Sequence, residues 1–191
     1  NASGIFTLQE VEDAMKNKSW PDLNSRAIIG GGYTPSRTNV IDFVEIASTG
    51  NATDFGDLTA AVQSLGAANN KQRGVFGGGY TGSGAGTDTM DYITVASNGD
   101  AVDFGNLSVT RRDTTGFANK TRGVFSGGNV GSYPAFSGSN VMDYITIAST
   151  GNAADFGDLT QARGDPASFS SPIRGITANG SAAPALSNVI D

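Results

Sequence analysis

An Asp-Phe-Gly triplet stands at Asp54-Phe55-Gly56. Such a triplet holds magnesium against a transferring phosphoryl group when a catalytic loop and a phosphate-contacting lysine accompany it. It returns at Asp103-Phe104-Gly105 and at Asp155-Phe156-Gly157. A metal-holding carboxylate is needed once per catalytic domain, so three copies point to architecture. The companions are also missing. The 191 residues contain no histidine, hence no His-Arg-Asp loop, and the lysines are Lys16, Lys18, Lys71 and Lys120 alone. The stretch GGGYTGSGAG (77–86) lacks the Gly-Lys-Ser/Thr ending and the following helix of a phosphate loop.

Three more carboxylates recur in phase, Asp42, Asp91 and Asp143, and four arginines do likewise, Arg26, Arg73, Arg122 and Arg174. The carboxylates could line a cation site. Hydrogen bonding to main-chain groups or to the in-phase arginines is the expected role instead. Turns such as SNGDAVD (97–103) gather oxygens, but no twelve-residue EF-hand pattern or Gly-Gly-x-Gly-x-Asp repeat is present. With neither cysteine nor histidine, thiolate nucleophiles, Cys/His zinc sites and the usual general base at neutral pH are excluded. Ser-x-Asp-x-Gly boxes are absent as well. The expectation is a protein that is not an enzyme, with no catalytic, metal or cofactor-binding residues.

Charged residues make up only 16% of the chain and glycine reaches 27 residues, alongside many Ser, Thr, Asn and β-branched residues. That mixture reads as short strands and tight turns. A net charge of −6 argues against general affinity for nucleic acid or anionic membranes. No 18-residue apolar run is present, so membrane insertion is not expected. The chain begins at Asn1 and stops within a recurring NVID (188–191), which reads as a piece of a longer or processed polypeptide.

The elements that must carry these residues form a repeat. From Arg26 to Arg73, Arg122 and Arg174 the steps are 47, 49 and 52 residues. From each strand Asp to the next Phe of the triplet (Phe55, Phe104, Phe156) the distance is 13, and from that Phe to the next Arg it is 18. All variation falls between the Arg and the strand Asp, at 16, 18, 21 and 17 residues. A fixed frame with one elastic loop is how a scaffold carries variable surface. Each unit reads as four short strands: near LGAANN, TTGFANK or PASFSS; at RGVF; at NVMDYITIAS; and at AADFGDL. Apolar residues on both faces of the third strand predict a strand covered on both sides. STGN and SNGD are hairpin turns.

This order, GVFSGG then VMDYITIAS then DFGDLTQAR, resembles the blade of kelch-type repeat proteins, with Phe where those blades usually carry Trp. The resemblance covers about residues 26–191. It implies an all-β fold of kelch-like β-propeller blades, about 50 residues and four strands each. The expected units are 26–72, 73–121, 122–173 and a partial 174–191. Within them Phe55, Phe104 and Phe156 wedge between blades.

Residues 1–25 differ in kind. Thr7-x-x-Glu10 is a capping box and Leu8, Val11 and Met15 share one helical stripe, predicting a short connecting or docking helix that ends near Lys18. GIFTLQEVEDAMKNKSWP (4–21) resembles a segment of tailed-bacteriophage structural proteins, and the repeat wording DYITIASTGNAADFGDL is similar to that of marine and cyanobacterial phage virion proteins. That resemblance implies a non-enzymatic virion component: a fibre, tail appendage or capsid decoration, oligomeric and in contact with other virion proteins. A secreted or cell-surface bacterial adhesion or carbohydrate-binding module is the alternative.

Function is then expected in the elastic loops. They carry Tyr33, Tyr80, Tyr133 and Phe136 among small polar residues. Exposed aromatics among Ser, Gly and Asn make adaptable contact surfaces for host-surface glycans or proteins.

Overall fold

The computed structural model describes residues 7–9, 12, 26–82, 84, 86–132, 135–182 and 185–191. The fold is all-β, built of several small antiparallel sheets. Leu8, Gln9 and Glu12 are helical; the other residues of the expected N-terminal helix lie outside the described ones.

The sheets follow the repeat in order. The first unit comprises β1 (Arg26–Tyr33), β2 (Arg37–Glu45) and β3 (Thr53–Asp57), ordered β1-β2-β3. The second comprises β4 (Gly66–Asn69), β5 (Arg73–Gly77), β6 (Thr87–Thr94) and β7 (Val102–Arg111), ordered β4-β5-β6-β7. The third adds β8 (Thr115–Ala118), β9 (Arg122–Ser126), the short β10 (Asn129–Val130), β11 (Ser137–Thr146) and β12 (Ala154–Arg163). In the fourth, β13 (Ala167–Ser170) pairs with β14 (Gly175–Ala178), and β15 (Ser181–Ala182) with β16 (Ala185–Leu186). Each complete sheet therefore starts one strand before its repeat arginine. The fourth strand also runs beyond the expected AADFGDL, ending at Arg111 and Arg163.

The third strand is covered on both sides, as its two apolar faces require. In β6, Ile93 packs with Ile41, Phe55 and Phe76 toward the first unit, while Met90 and Tyr92 pack with Phe104, Phe125 and Ile145 toward the third. Side chains alternate across a strand, so one strand feeds two cores. The junctions are close-packed at glycine. A Cβ on Gly30 or Gly77 would lie 3.1 Å or 3.0 Å from the ring of Phe76 or Phe125 in the next unit.

The Asp-Phe-Gly triplet has a backbone meaning. Register passes from Ile41↔Gly56 to Asp42↔Asp54, from Met90↔Gly105 to Asp91↔Asp103 and from Met142↔Gly157 to Asp143↔Asp155. The Phe is thus the extra residue of a β-bulge in all three units, which re-aims its ring out of the ladder. The glycine that follows has φ of +146°, +136° and +131°. At the first two junctions the hairpin turn of the next unit docks on it: Gly99 N donates to Phe55 O at 2.8 Å and Gly151 N to Phe104 O at 2.7 Å. A Cβ on Gly56 or Gly105 would lie 2.5 Å from that turn's backbone.

Candidate functional site

The strand carboxylates reach back to the preceding unit. Asp91 accepts from the Thr59 amide at 3.0 Å and from its hydroxyl at 2.8 Å. Asp143 accepts from the Ser108 amide at 3.2 Å and hydroxyl at 2.5 Å. Asp191 accepts from the Thr160 amide at 3.1 Å. The side chain of Asp143 is fully buried and takes a further bond, 2.8 Å, from Nη2 of Arg111, equally buried; the buried Arg163 pairs likewise with Asp191, whose side chain is partly exposed. Burial lowers the pKa of Arg111, and the Asp143 charge opposes that shift.

The in-phase arginines are not those partners, and this corrects the expected pairing. Arg73 sits opposite Thr94, three residues from Asp91 along β6 and on the other face of the sheet. It lies 4.5 Å over the ring of Tyr92 and donates to Ile147 O of the third unit. Arg26 covers Phe43 at 4.3 Å, donating to Glu45 and Val95 O, and Arg122 covers Tyr144 at 4.6 Å. Each covered ring meets the triplet Phe edge-on: Phe43–Phe55, Tyr92–Phe104 and Tyr144–Phe156 at 6.0, 5.9 and 6.1 Å. Phe55 and Phe104 are buried, whereas Phe156 is 46% exposed. Arg174 is exposed just before β14, and its amide donates to the Ser171 hydroxyl. Asp42 lies in β2, half-buried, next to the bulge.

These positions serve packing; the loops do something different. Tyr80, from the second unit, lies between two guanidinium groups, Arg37 of the first at 4.7 Å and Arg112 at 4.8 Å. Arg112 in turn faces Phe136 of the third unit at 5.1 Å. The result is a ladder, Arg37–Tyr80–Arg112–Phe136, drawn from three units and joining two of the loop aromatics. Cations over aromatic faces attract through the ring quadrupole, and backbone bonds between Tyr80 and Gln63 hold the middle ring in place. Phe136 remains 43% exposed at the end of the ladder, and Tyr33, the last residue of β1 and opposite Arg37, is 61% exposed. Tyr133 lies outside the described residues.

Beside the ladder runs a polar line. Ser64, Asp113 and Asp165 hold the same place in successive units, all with positive φ. Asp113 N donates to Ser64 O at 2.8 Å and Asp165 N to Asp113 O at 3.1 Å. Asn129 donates to Asp113 at 2.9 Å, and Arg112 pairs with the same carboxylate at 3.5 Å. Burial and the nearby Asp113 charge raise the pKa of Asp165, against the pull of Asn129 and Arg112. Arg112 is itself buried and Tyr80 and Arg37 are half-buried, so what the patch presents to solvent is chiefly the Phe136 ring and Asp165. Among the described residues no group of three or more Asp or Glu side chains could hold a metal ion. A cavity of about 420 Å³ lies elsewhere, beside Arg26–Ile28 and β4. It occupies the side of β1 where the other units carry a first strand.

Sequence reasoning placed Tyr80 and Phe136 in this surface but missed Arg37, Arg112 and the buried Arg111 and Arg163. The signal for the last two was present: an arginine follows the triplet Phe by seven residues in two of three units.

No family model matches the chain, and no curated protein matches it. Among solved structures, one titled "Structure of YjhT" is similar, with a TM-score of 0.63 and 11% identity over 81% of this chain and 49% of that one. The chain thus spans about half the length of that protein. At such identity the likeness concerns the fold.

Proposed function

We propose that the chain is a run of kelch-like β-propeller blades acting as a non-enzymatic structural and attachment component of a phage particle. The observation that carries this reading is the division of labour among its repeated and variable residues. Among the in-phase side chains, Asp91, Asp143, Arg26, Arg73, Arg122, Phe55 and Phe104 are engaged in contacts within and between units. The elastic loops instead bring Arg37, Tyr80 and Phe136 from three units together around the buried Arg112, with Phe136 exposed at the end. Successive antiparallel sheets, of which the second has four strands and the third five, bond through Asp91 and Asp143 of their long third strands to the end of the unit before, and this supports the propeller reading. The virion assignment rests on the resemblance of residues 4–21 and of the repeat wording to phage structural proteins. A ladder of Tyr, Phe and Arg beside carboxylates suits a host-surface glycan or protein, since flat rings stack on sugar faces while the polar groups read hydroxyls.

The test is the composition of purified particles. Quantitative mass spectrometry should find the chain, or a longer polypeptide containing it, at a fixed copy number per particle, and gold-labelled antibody should mark one morphological part. Its absence from particles, with presence on a bacterial surface instead, would transfer the same scaffold to an adhesion module.

A further inference from the structure

At two of the three junctions between units, an arginine lies in a cradle of oxygens. Arg111 donates from Nη1 to the carbonyls of Gly127 at 3.2 Å and Val141 at 2.6 Å. Its Nη2 donates to Phe125 O at 3.2 Å and to Asp143 at 2.8 Å. Arg163 repeats the pattern with Asn179 O at 3.3 Å, Val189 O at 2.8 Å and Asp191. At the first junction the corresponding residue is Val62, which follows Phe55 by seven positions as Arg111 follows Phe104 and Arg163 follows Phe156.

The cradle persists there without its arginine. Phe76, Gly78, Thr89 and Asp91 stand where Phe125, Gly127, Val141 and Asp143 stand at the next junction. All four line a cavity of about 90 Å³, with Val62 on its wall and the exposed Ala60 and Thr81 at its rim. A water needs only about 10–15 Å³ of such space, so there is room for a small planar ion. Asp91 is 7% exposed and is met by the neutral donors of Thr59, with no cationic side chain paired to it among the described residues. A desolvated carboxylate left without a cation is costly, and a guanidinium is the group whose planar N–H fork fits carbonyls and a carboxylate together.

We propose that this cavity is a binding site for a guanidinium group, either a small alkylguanidinium or the tip of an arginine from another polypeptide. Val62 leaves vacant what Arg111 and Arg163 fill from within. The ligand takes over their bonds to Phe76 O, Gly78 O, Thr89 O and Asp91.

Thermal melting of the whole chain with methylguanidinium, with N-acetyl-arginine amide, and with matched sodium chloride or urea tests the site. Both guanidinium compounds at millimolar concentration should raise the melting temperature, whereas urea, planar but uncharged, and sodium chloride should not. Tighter binding of the arginine amide identifies a polypeptide source, and tighter binding of methylguanidinium a free small molecule. Val62→Arg should melt higher without ligand and lose the response, because its own side chain occupies the cradle. Asp91→Asn should weaken binding by about tenfold or more. An unchanged response in Val62→Arg, or no response in the unaltered protein, overturns the proposal.

Discussion

Nη2 of Arg111 donates to Asp143 across 2.8 Å with neither side chain reaching solvent, and the pair joins the fourth strand of one unit to the third strand of the next. Removing one partner of a buried pair leaves the other charge uncompensated, at a cost of about 3–5 kcal/mol. Arg111→Met and Asp143→Asn should each lose stability on that scale, by chemical denaturation. The double variant should lose less than the sum, because neither charge is then stranded.

The triplet Phe separates two environments with one chemistry. Phe104→Ala should cost about 3–5 kcal/mol, the range for large-to-small changes in a packed core. Phe156→Ala should cost about 1 kcal/mol or less, since nearly half its side chain is already in water. Equal losses in the two variants would remove the inter-unit wedge from the account.

The triplet glycines separate conformation from contact. Gly105 and Gly157 share a positive φ, +136° and +131°, but only Gly105 faces a docked turn, 2.5 Å from its would-be Cβ; no atom of the described residues lies within 4 Å at Gly157. Gly105→Ala should therefore destabilise more than Gly157→Ala, which bears only the backbone penalty of roughly 1 kcal/mol.

Asp165 gives a pH signature. Its pKa is raised in the folded chain, so folding favours its protonated form, and its contribution to stability fades as pH rises through the carboxylate range. Asp165→Asn keeps a side chain tolerant of φ +51° and removes the repulsion from Asp113. The variant should melt above the parent at pH 7 and level with it once the carboxylate is protonated. Circular dichroism melts at the two pH values check this.

Much of the scaffold was legible because the repeat imposes the same backbone solution several times. Fixed intervals around Asp91, Phe104 and Arg122 located the strands of the second and third units, and the two apolar faces of the third strand, Met142 and Tyr144 against Val141, Ile145 and Ile147, announced a strand covered on both sides. Partnerships between units were harder to read. Arg73 and Asp91 recur in phase, yet alternation puts them on opposite faces, and phase alone carries no facing. The partner of Asp143 lies 32 residues earlier in the chain, at the end of a strand longer than its apolar core. The Tyr80 ladder was half visible: loop aromatics stand out by type, but their meeting with Arg37 and Arg112 depends on how three units assemble.

The central claim is that repeated positions hold the frame while the loop ladder makes the contact. Binding to a glycan array, compared between the unaltered protein and the Tyr80→Ala/Phe136→Ala variant, tests it most directly. The account predicts a selective glycan signal that the variant loses while its melting temperature stays within a few degrees of the parent. Retained binding in a folded variant, or no binding by the parent, would contradict it.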